Sequence, residues 1–354
     1  MFYFLSYFLK DTLFFANVFH YISFRAIAAF LTALCISLLF GGRFIRTWAV
    51  FFKSKVREDT PAQHKAKDNM PTMGGIFIII TVIITCLLWC DLYQPKVWIF
   101  LLCLLGFGAI GFWDDWKKIR FAKGMPASFK FLAQWSVAAC VVILWVYWAG
   151  APTTITFPFF KYFNPDLGLL FIPWAMFILV SCSNAVNLTD GLDGLAIGSL
   201  LPNFALFSVI SYLAGHVLFA LYLHIPFTGS SELCVIGSAL LGGSLGFLWY
   251  NAYPAQIFMG DVGSLALGAS LALMALMAKQ ELLLVISGGL FVVETLSVMV
   301  QVFVYRRWKK RIFKMAPLHH HFELLGWPEA KITTRFGIIS LVFCLIAALT
   351  LKLR

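Results

Sequence analysis

Residues 97–118 read VWIFLLCLLGFGAIGFWDDWKK. Residues 97–113 carry no charge, and they run directly into two aspartates, a tryptophan and two lysines. As helix, such a run crosses most of a bilayer core, which takes ~20 residues, and it delivers its first charges at the interface. The pattern recurs along the chain. Similar apolar segments occupy 24–42, 74–92, 131–149, 167–186, 195–214, 234–250, 264–278, 282–304 and 336–351. With 61% hydrophobic residues, 12% charged residues and a mean hydropathy of +0.87, the 354-residue chain lies far outside the range of a water-soluble domain. It reads as an all-α, polytopic membrane protein of about ten spans, a single domain over 1–354 with no separate soluble unit.

The basic residues orient the spans. Loops 43–69, 114–130 and 306–335 hold seven, five and eight Lys or Arg, 20 of the 27 in the chain. The positive-inside rule turns these loops to the cytoplasm, and ten spans then place both termini in the periplasm. The inside loops 187–194 and 250–263 contain no Lys or Arg, but they do contain Asp190, Asp193 and Asp261. Together with Asp114 and Asp115 this puts five carboxylates on one face of the membrane. A carboxylate beside hydrocarbon is costly unless paired or metal-bound, so the cluster marks a site. Segments 43–73, 114–130, 187–194, 250–263 and 305–335 are therefore read as the loops that build it.

Other features are plainer. Residues 1–22 are apolar and aromatic without a basic start or a small-residue cleavage signal, which suits a periplasmic interfacial segment. The eight cysteines show no CxxC pair and no zinc spacing and read as small packing residues. The net charge of +11 is spread over membrane loops, which fits attraction to anionic membrane lipids and excludes a nucleic-acid partner.

The loops carry the chemistry. Asn187-Leu188-Thr189-Asp190-Gly191-Leu192-Asp193-Gly194 sets two Asp-Gly pairs three residues apart. One such pair is ordinary turn chemistry; two between apolar helices can aim both acids and several N–H groups into one pocket. Asp114-Asp115, followed by Lys117-Lys118, could be a solvated helix end or a general base and metal support. Asp261 lies between Gly260 and Gly263 just ahead of a span and suits Mg2+, which takes one or two carboxylates plus substrate phosphate oxygens. Asn251 and Phe258 could bond to and stack on a base. Lys67, Lys118 and Lys130 are placed to bind phosphate. His319-His320-His321 is expected in an irregular loop, from which one or two rings can reach a phosphate or an anionic peptide. Glu294, near the middle of the ninth span, is expected to hydrogen-bond within the bundle and shape a helix break. Acids, a hard cation, lysines and histidines at a membrane surface describe phosphoryl transfer.

Taken in order, Pro71-Thr72-Met73-Gly74-Gly75, Asp114-Asp115, Asn184 to Gly194, Phe258 to Ser264 and Pro317 to His321 resemble the phospho-N-acetylmuramoyl-pentapeptide transferase family. The resemblance covers nearly the whole chain, and the histidine motif is the part most particular to the muramoyl branch. It implies a bacterial inner-membrane enzyme that moves phospho-MurNAc-pentapeptide from UDP-MurNAc-pentapeptide to undecaprenyl phosphate with Mg2+. On that pattern Asp261 binds the metal, and Asp114 with Asp115 handles or deprotonates the lipid phosphate. Lys67, Asp193, Asn251 and Phe258 hold the uridine, while Asn187 and Asp190 line the sugar and diphosphate region. His319, His320 and His321 meet the muramoyl-peptide side, with Asp190 and His320 counted among the catalytic residues. Lys118 and Lys130 match lysines near the phosphates, and Thr72 and Gly260 fall within the substrate motifs. A homodimer is implied as well. Where the family has Lys-x-Gly-Thr, this chain has Lys67-Asp68-Asn69-Met70.

Two other readings are separable. A sibling transferase would use UDP-N-acetylglucosamine with the same acids, and the histidine run argues against it. An ion-coupled transporter would set its acids near the midplane among internal repeats, whereas these acids gather at one interface and no repeat is visible.

Overall fold

The computed structural model describes residues 1–9, 14–50, 52, 70–121, 123–160 and 163–352. Fourteen α-helices account for nearly all regular structure among them, and an isolated bridge pairs Thr154 with Asp166. They are α1 (Phe2–Leu9), α2 (Ile22–Trp48), α3 (Gly75–Trp89), α4 (Pro95–Phe121), α5 (Ala127–Tyr147), α6 (Phe171–Thr189), α7 (Leu195–Ala214), α8 (Val217–Leu223), α9 (Glu232–Asn251), α10 (Gly260–Met277), α11 (Leu283–Ser287), α12 (Gly289–Trp308), α13 (Leu318–Leu324) and α14 (Glu329–Thr350). Nine of the described helices are long and apolar enough to cross a membrane, and α3, at 15 residues, is a shorter apolar tenth.

Helix α10 forms the axis of the bundle. Every residue from Val262 to Met277 is buried, as expected of a helix that is apolar on all sides. It packs mainly on α4 and α6, with α3 and α7 completing its surround. Small residues permit this closeness. A Cβ added to Gly268 would lie 2.8 Å from the Ser183 Cα of α6, and Ser183 Oγ donates to the Leu265 carbonyl at 3.0 Å. Such close approach through small residues is the usual route to helix association where water supplies no driving force.

The end of the bundle away from the acids is tied by charge. Arg25 of α2 forms a two-pronged pair with Glu232 at the start of α9 (2.8 and 2.6 Å), and Glu232 also accepts from the Asp91 N–H after α3. Both partners are buried, so removing one alone would strand the other at a cost of about 3–5 kcal/mol. The Met1 amine donates to Leu87 O and Leu88 O, and Phe2 and Phe19 pack on Trp89, so the first segment lies at this same end. Helix α14 begins beside the acids and runs away from them, which brings Met1 and Thr350 to one end.

Three expectations are corrected. Helix α4 continues to Phe121, so Asp114 and Asp115 sit inside a helix, not in a loop. The three histidines lie on the short helix α13, not in irregular chain. The break that splits the ninth span falls at Gly288, six residues before Glu294, and the Glu294 carboxylate instead accepts the His319 N–H at the start of α13. A long apolar segment breaks where glycine weakens it, and a buried carboxylate is satisfied by the orphan N–H groups of a helix start. The cysteines are all free, and five of the eight are buried packing residues.

Candidate active site

Asp261 is the hub. It stands in the first turn of α10, where the helix dipole favours an anion, after a Gly260 held at φ 72°. Its Oδ1 accepts from Asn187 Nδ2 at 3.0 Å; its Oδ2 meets Lys118 Nζ at 2.9 Å and Lys130 Nζ at 2.5 Å. Asn187, on α6, also donates to Ser264 Oγ at 2.8 Å, which locks its amide orientation.

The two lysines knit Asp261 to the acids of α4. Lys118 Nζ lies 2.9 Å from Asp114 Oδ2 and 3.1 Å from Asp115 Oδ1, while Lys130 Nζ lies 3.1 Å from Asp114 Oδ2. Asp114 Oδ1 accepts the Met125 N–H at 2.6 Å, and Asp115 Oδ2 accepts the Val262 N–H at 3.3 Å. Three carboxylates and two ammonium groups thus share one buried cluster, with Lys118 remaining 31% exposed and so able to swing toward an incoming anion. Helical spacing makes this possible: Asp114 and Lys118 are four apart on α4, on one face.

Glycines bring the backbones this close. Gly75 N donates to Met259 O and Gly74 N to Phe258 O, both at 2.9 Å, and Phe258 N donates to Pro71 O at 2.9 Å. The Pro71 to Gly75 motif is therefore a backbone clasp that seats α3 on the start of α10. A Cβ on Gly75 would overlap Gly263, and one on Gly260 would come within 2.5 Å of Asp115 Oδ2. Thr72, half-buried in this clasp, donates its N–H to Phe52 O at 3.2 Å.

The Asn187–Gly194 turn forms the neighbouring wall. Asp190 follows α6 and is half-buried; desolvation first, then the Asp261, Asp115 and Asp193 carboxylates, push its pKa well above the usual carboxylate range. Asp193 Oδ2 accepts the Ala255 N–H at 3.1 Å, while its own N–H donates to Glu329 Oε1 at 2.8 Å. Asn251 Oδ1 accepts from Gly194 N and its Nδ2 donates to Ile257 O. Asp193 and Asn251 thus brace the two loops against one another. Phe258 is half-buried on the same loop, and Lys67 lies outside the described residues.

The histidines approach this wall from α13. His319 is fully buried, with Nδ1 3.3 Å from Glu294 Oε2 and its Nε2 edge against Gly191, where a Cβ would overlap that nitrogen. Burial lowers its pKa and outweighs the opposing pull of Glu294, so the ring is neutral at pH 7. His320 Nδ1 lies 2.9 Å from Glu323 Oε2, and His321 Nδ1 accepts the Lys314 N–H at 3.1 Å.

Within the bundle an apolar groove of about 230 Å3 runs between α6, α11 and α12. Phe177, Ala185, Leu271, Val292 and Thr295 are among its walls, and Ala185 lies two residues before Asn187. Among the described residues no three His, Cys, Asp or Glu side chains converge as a complete metal site. A cation here would take Asp261 and draw further oxygens from a substrate; such hard oxygen donors suit a hard divalent cation.

Comparison with known proteins gives the family. The family model described as Glycosyl transferase family 4 matches residues 97–279, a stretch that runs from the start of α4 through α10. The chain is 50% identical, over 344 residues that cover 96% of each sequence, to the phospho-N-acetylmuramoyl-pentapeptide-transferase of Solidesulfovibrio magneticus.

Proposed function

From its membership of the phospho-N-acetylmuramoyl-pentapeptide transferase family, we infer that this chain transfers phospho-MurNAc-pentapeptide from UDP-MurNAc-pentapeptide to undecaprenyl phosphate. The products are lipid I and UMP. The observation that carries the reading is the cluster of Asp114, Asp115 and Asp261 with Lys118 and Lys130, held at the ends of apolar membrane-length helices. A polar anchor for phosphates at the end of an apolar helix bundle suits a reaction between a nucleotide and a lipid.

The protein is read as a multi-pass protein of the bacterial inner membrane with this site on the cytoplasmic face, where the basic loops point and UDP-linked sugars are found. Its termini are read as periplasmic and its working form as a homodimer. Mg2+ bound at Asp261 would neutralise the diphosphate and the charge developing on the transferred phosphate. The chain's own groups do the rest. Asp114 and Asp115 orient the lipid phosphate and can take its proton. Lys118 and Lys130 leave their carboxylate partners for the diphosphate oxygens, and Asn187 holds Asp261 in place throughout. Asp190, Lys67, Thr72, Gly260 and Phe258 line the nucleotide and sugar side, with Asp193 and Asn251 holding those loops. His320 and His321 stand toward the muramoyl-peptide, while the fully buried His319 backs the Asn187–Gly194 turn. Attack by the lipid phosphate on the sugar-linked phosphate in one step needs no protein nucleophile.

Purified protein with labelled UDP-MurNAc-pentapeptide, undecaprenyl phosphate and Mg2+ is expected to release UMP, with loss of turnover in excess EDTA and recovery on adding Mg2+. No UMP from the complete mixture would overturn the assignment. UDP-N-acetylglucosamine should be inert in the same assay; turnover with it would favour the sibling activity. The groove makes a separate prediction. Val292→Trp should raise KM for undecaprenyl phosphate about tenfold, roughly the 1–3 kcal/mol a misfit in an apolar pocket is worth, and leave KM for the nucleotide unchanged. Equal changes in both KM values would show that the groove does not hold the lipid.

A further inference from the structure

Glu294 and His319 stand apart from the acid and lysine cluster, yet they are built with care. Both are fully buried, one on a membrane-spanning helix and the other on a helix that is not. Glu294 Oε1 accepts the His319 backbone N–H at 3.2 Å, and Glu294 Oε2 lies 3.3 Å from the ring Nδ1. The opposite edge of the ring, Nε2, presses on Gly191, the residue between Asp190 and Leu192. Position 191 has no room for a Cβ because the imidazole occupies that space. A chain of direct contacts therefore runs from a buried carboxylate of α12 through the imidazole to the turn that carries Asp190 and Asp193.

We propose that Glu294 and His319 are a positioning pair for the nucleotide-sugar wall: the carboxylate fixes the imidazole's orientation and its Nδ1–H tautomer, and the imidazole sets the Asn187–Gly194 turn. Carboxylates that orient a histidine through one ring nitrogen, so that the other acts on a third group, do this elsewhere by the same physics. Nδ1 faces Glu294 Oε2 across 3.3 Å, the nearest acceptor for a proton on that nitrogen, and Nε2 lies against the turn. The ring of His320, 4.3 Å away between centroids, and Glu323 are the other titratable neighbours, and Glu323 is already engaged with His320. Two roles are thus separable in Glu294: capping α13 through Oε1, which an amide also performs, and setting the imidazole through charge, which an amide does not.

The proposal rests on the reading of the turn as part of the nucleotide-sugar site. Wild-type UMP release tests that reading, and the variants test the pair. Glu294→Gln and His319→Asn are each expected to raise KM for UDP-MurNAc-pentapeptide about tenfold, with KM for undecaprenyl phosphate unchanged and Tm within a few degrees of the parent. The double variant should be no worse than the poorer single one, because both changes cut the same chain of contacts. Gly191→Ala, which pushes on the ring from the turn side, should give the same selective rise and keeps the test alive if His319→Asn does not fold. A merely structural pair would lower the folded fraction and so kcat, leaving both KM values alone. Full activity of Glu294→Gln, equal changes in both KM values, or singles whose effects multiply in the double variant would each overturn the proposal.

Discussion

Asp261→Asn is expected to lower turnover by two to three orders of magnitude while leaving a folded protein. Asp261 is the residue on which four others converge: Asn187 fixes Oδ1, Lys118 and Lys130 meet Oδ2, and Asp114 shares both lysines with it. An asparagine keeps the volume, but it presents either a neutral oxygen or an NH2 group to two ammonium groups. One lysine then loses its strongest partner, and the phosphates lose the anchor that would hold a cation between them. Removing a preorganised electrostatic contact at a reacting centre typically costs ~10²–10³ in rate, which is ~2.7–4 kcal/mol. Folding is less affected, because Asp114 and Asp115 still oppose the lysines and the N-terminal turn of α10 is held by the Gly74 and Gly75 clasp. The measurement is UMP release alongside a thermal melt. Activity within tenfold of the parent at unchanged Tm would remove Asp261 from the centre of the reaction and leave the family assignment standing.

Much of this is legible in the amino-acid sequence, for physical reasons. Ten apolar segments correspond to α2 through α7, α9, α10, the split pair α11 and α12, and α14, because bilayer thickness dictates their length. The loop charges, read with the positions of Asp114, Asp115, Asp190, Asp193 and Asp261 at segment ends, predict that these five acids share one face. Helix limits were harder. Hydropathy ends a span where charge begins, but backbone hydrogen bonding does not, so α4 runs on through Asp114, Asp115 and Lys118 to Phe121. A three-histidine run next to prolines and basic residues looks irregular, yet Pro317 precedes the first turn of α13 and Glu294 caps it from another helix. That cap joins residues 25 positions apart, and no local pattern announces it. The bracing roles of Asp193 and Asn251 likewise depend on which loop faces which. The glycines of the packing interface were the least visible. Gly75, Gly111 and Gly263 look like ordinary small residues in apolar runs, and only the approach of α3 and α4 to the start of α10 shows what they exclude.

Gly111→Ala should therefore disable the enzyme as thoroughly as a change to an acid, although it adds one methyl group in an apolar helix. Gly111 of α4 faces the first turn of α10. A Cβ there would overlap the carbonyl carbon and oxygen of Asp261 itself and come within 2.5 Å of the Val262 nitrogen. These are backbone atoms, so no rotamer change relieves the overlap, and the helices must separate or slide. Overpacking of this kind costs about 1–3 kcal/mol in stability. The functional cost is larger because of where the separation occurs. Asp114 and Asp115 follow Gly111 by three and four residues, one turn along the same face, and the ion pairs they share with Asp261 through Lys118 and Lys130 span 2.5 to 3.1 Å. Opening the interface by even 1 Å stretches and weakens every one of those pairs, and misplacement by 1 Å can cost ~10² in rate. The expected result is a turnover at least 100-fold down with Tm lowered by several degrees. Gly198→Ala supplies the contrast: nothing lies within 4 Å of a Cβ at that position on α7, and the change should leave activity and Tm intact. If Gly111→Ala matched Gly198→Ala in both measurements, α4 could not be packed on α10 closely enough for one methyl group to matter, and the distances among the three acids and two lysines would not be those on which the reaction depends.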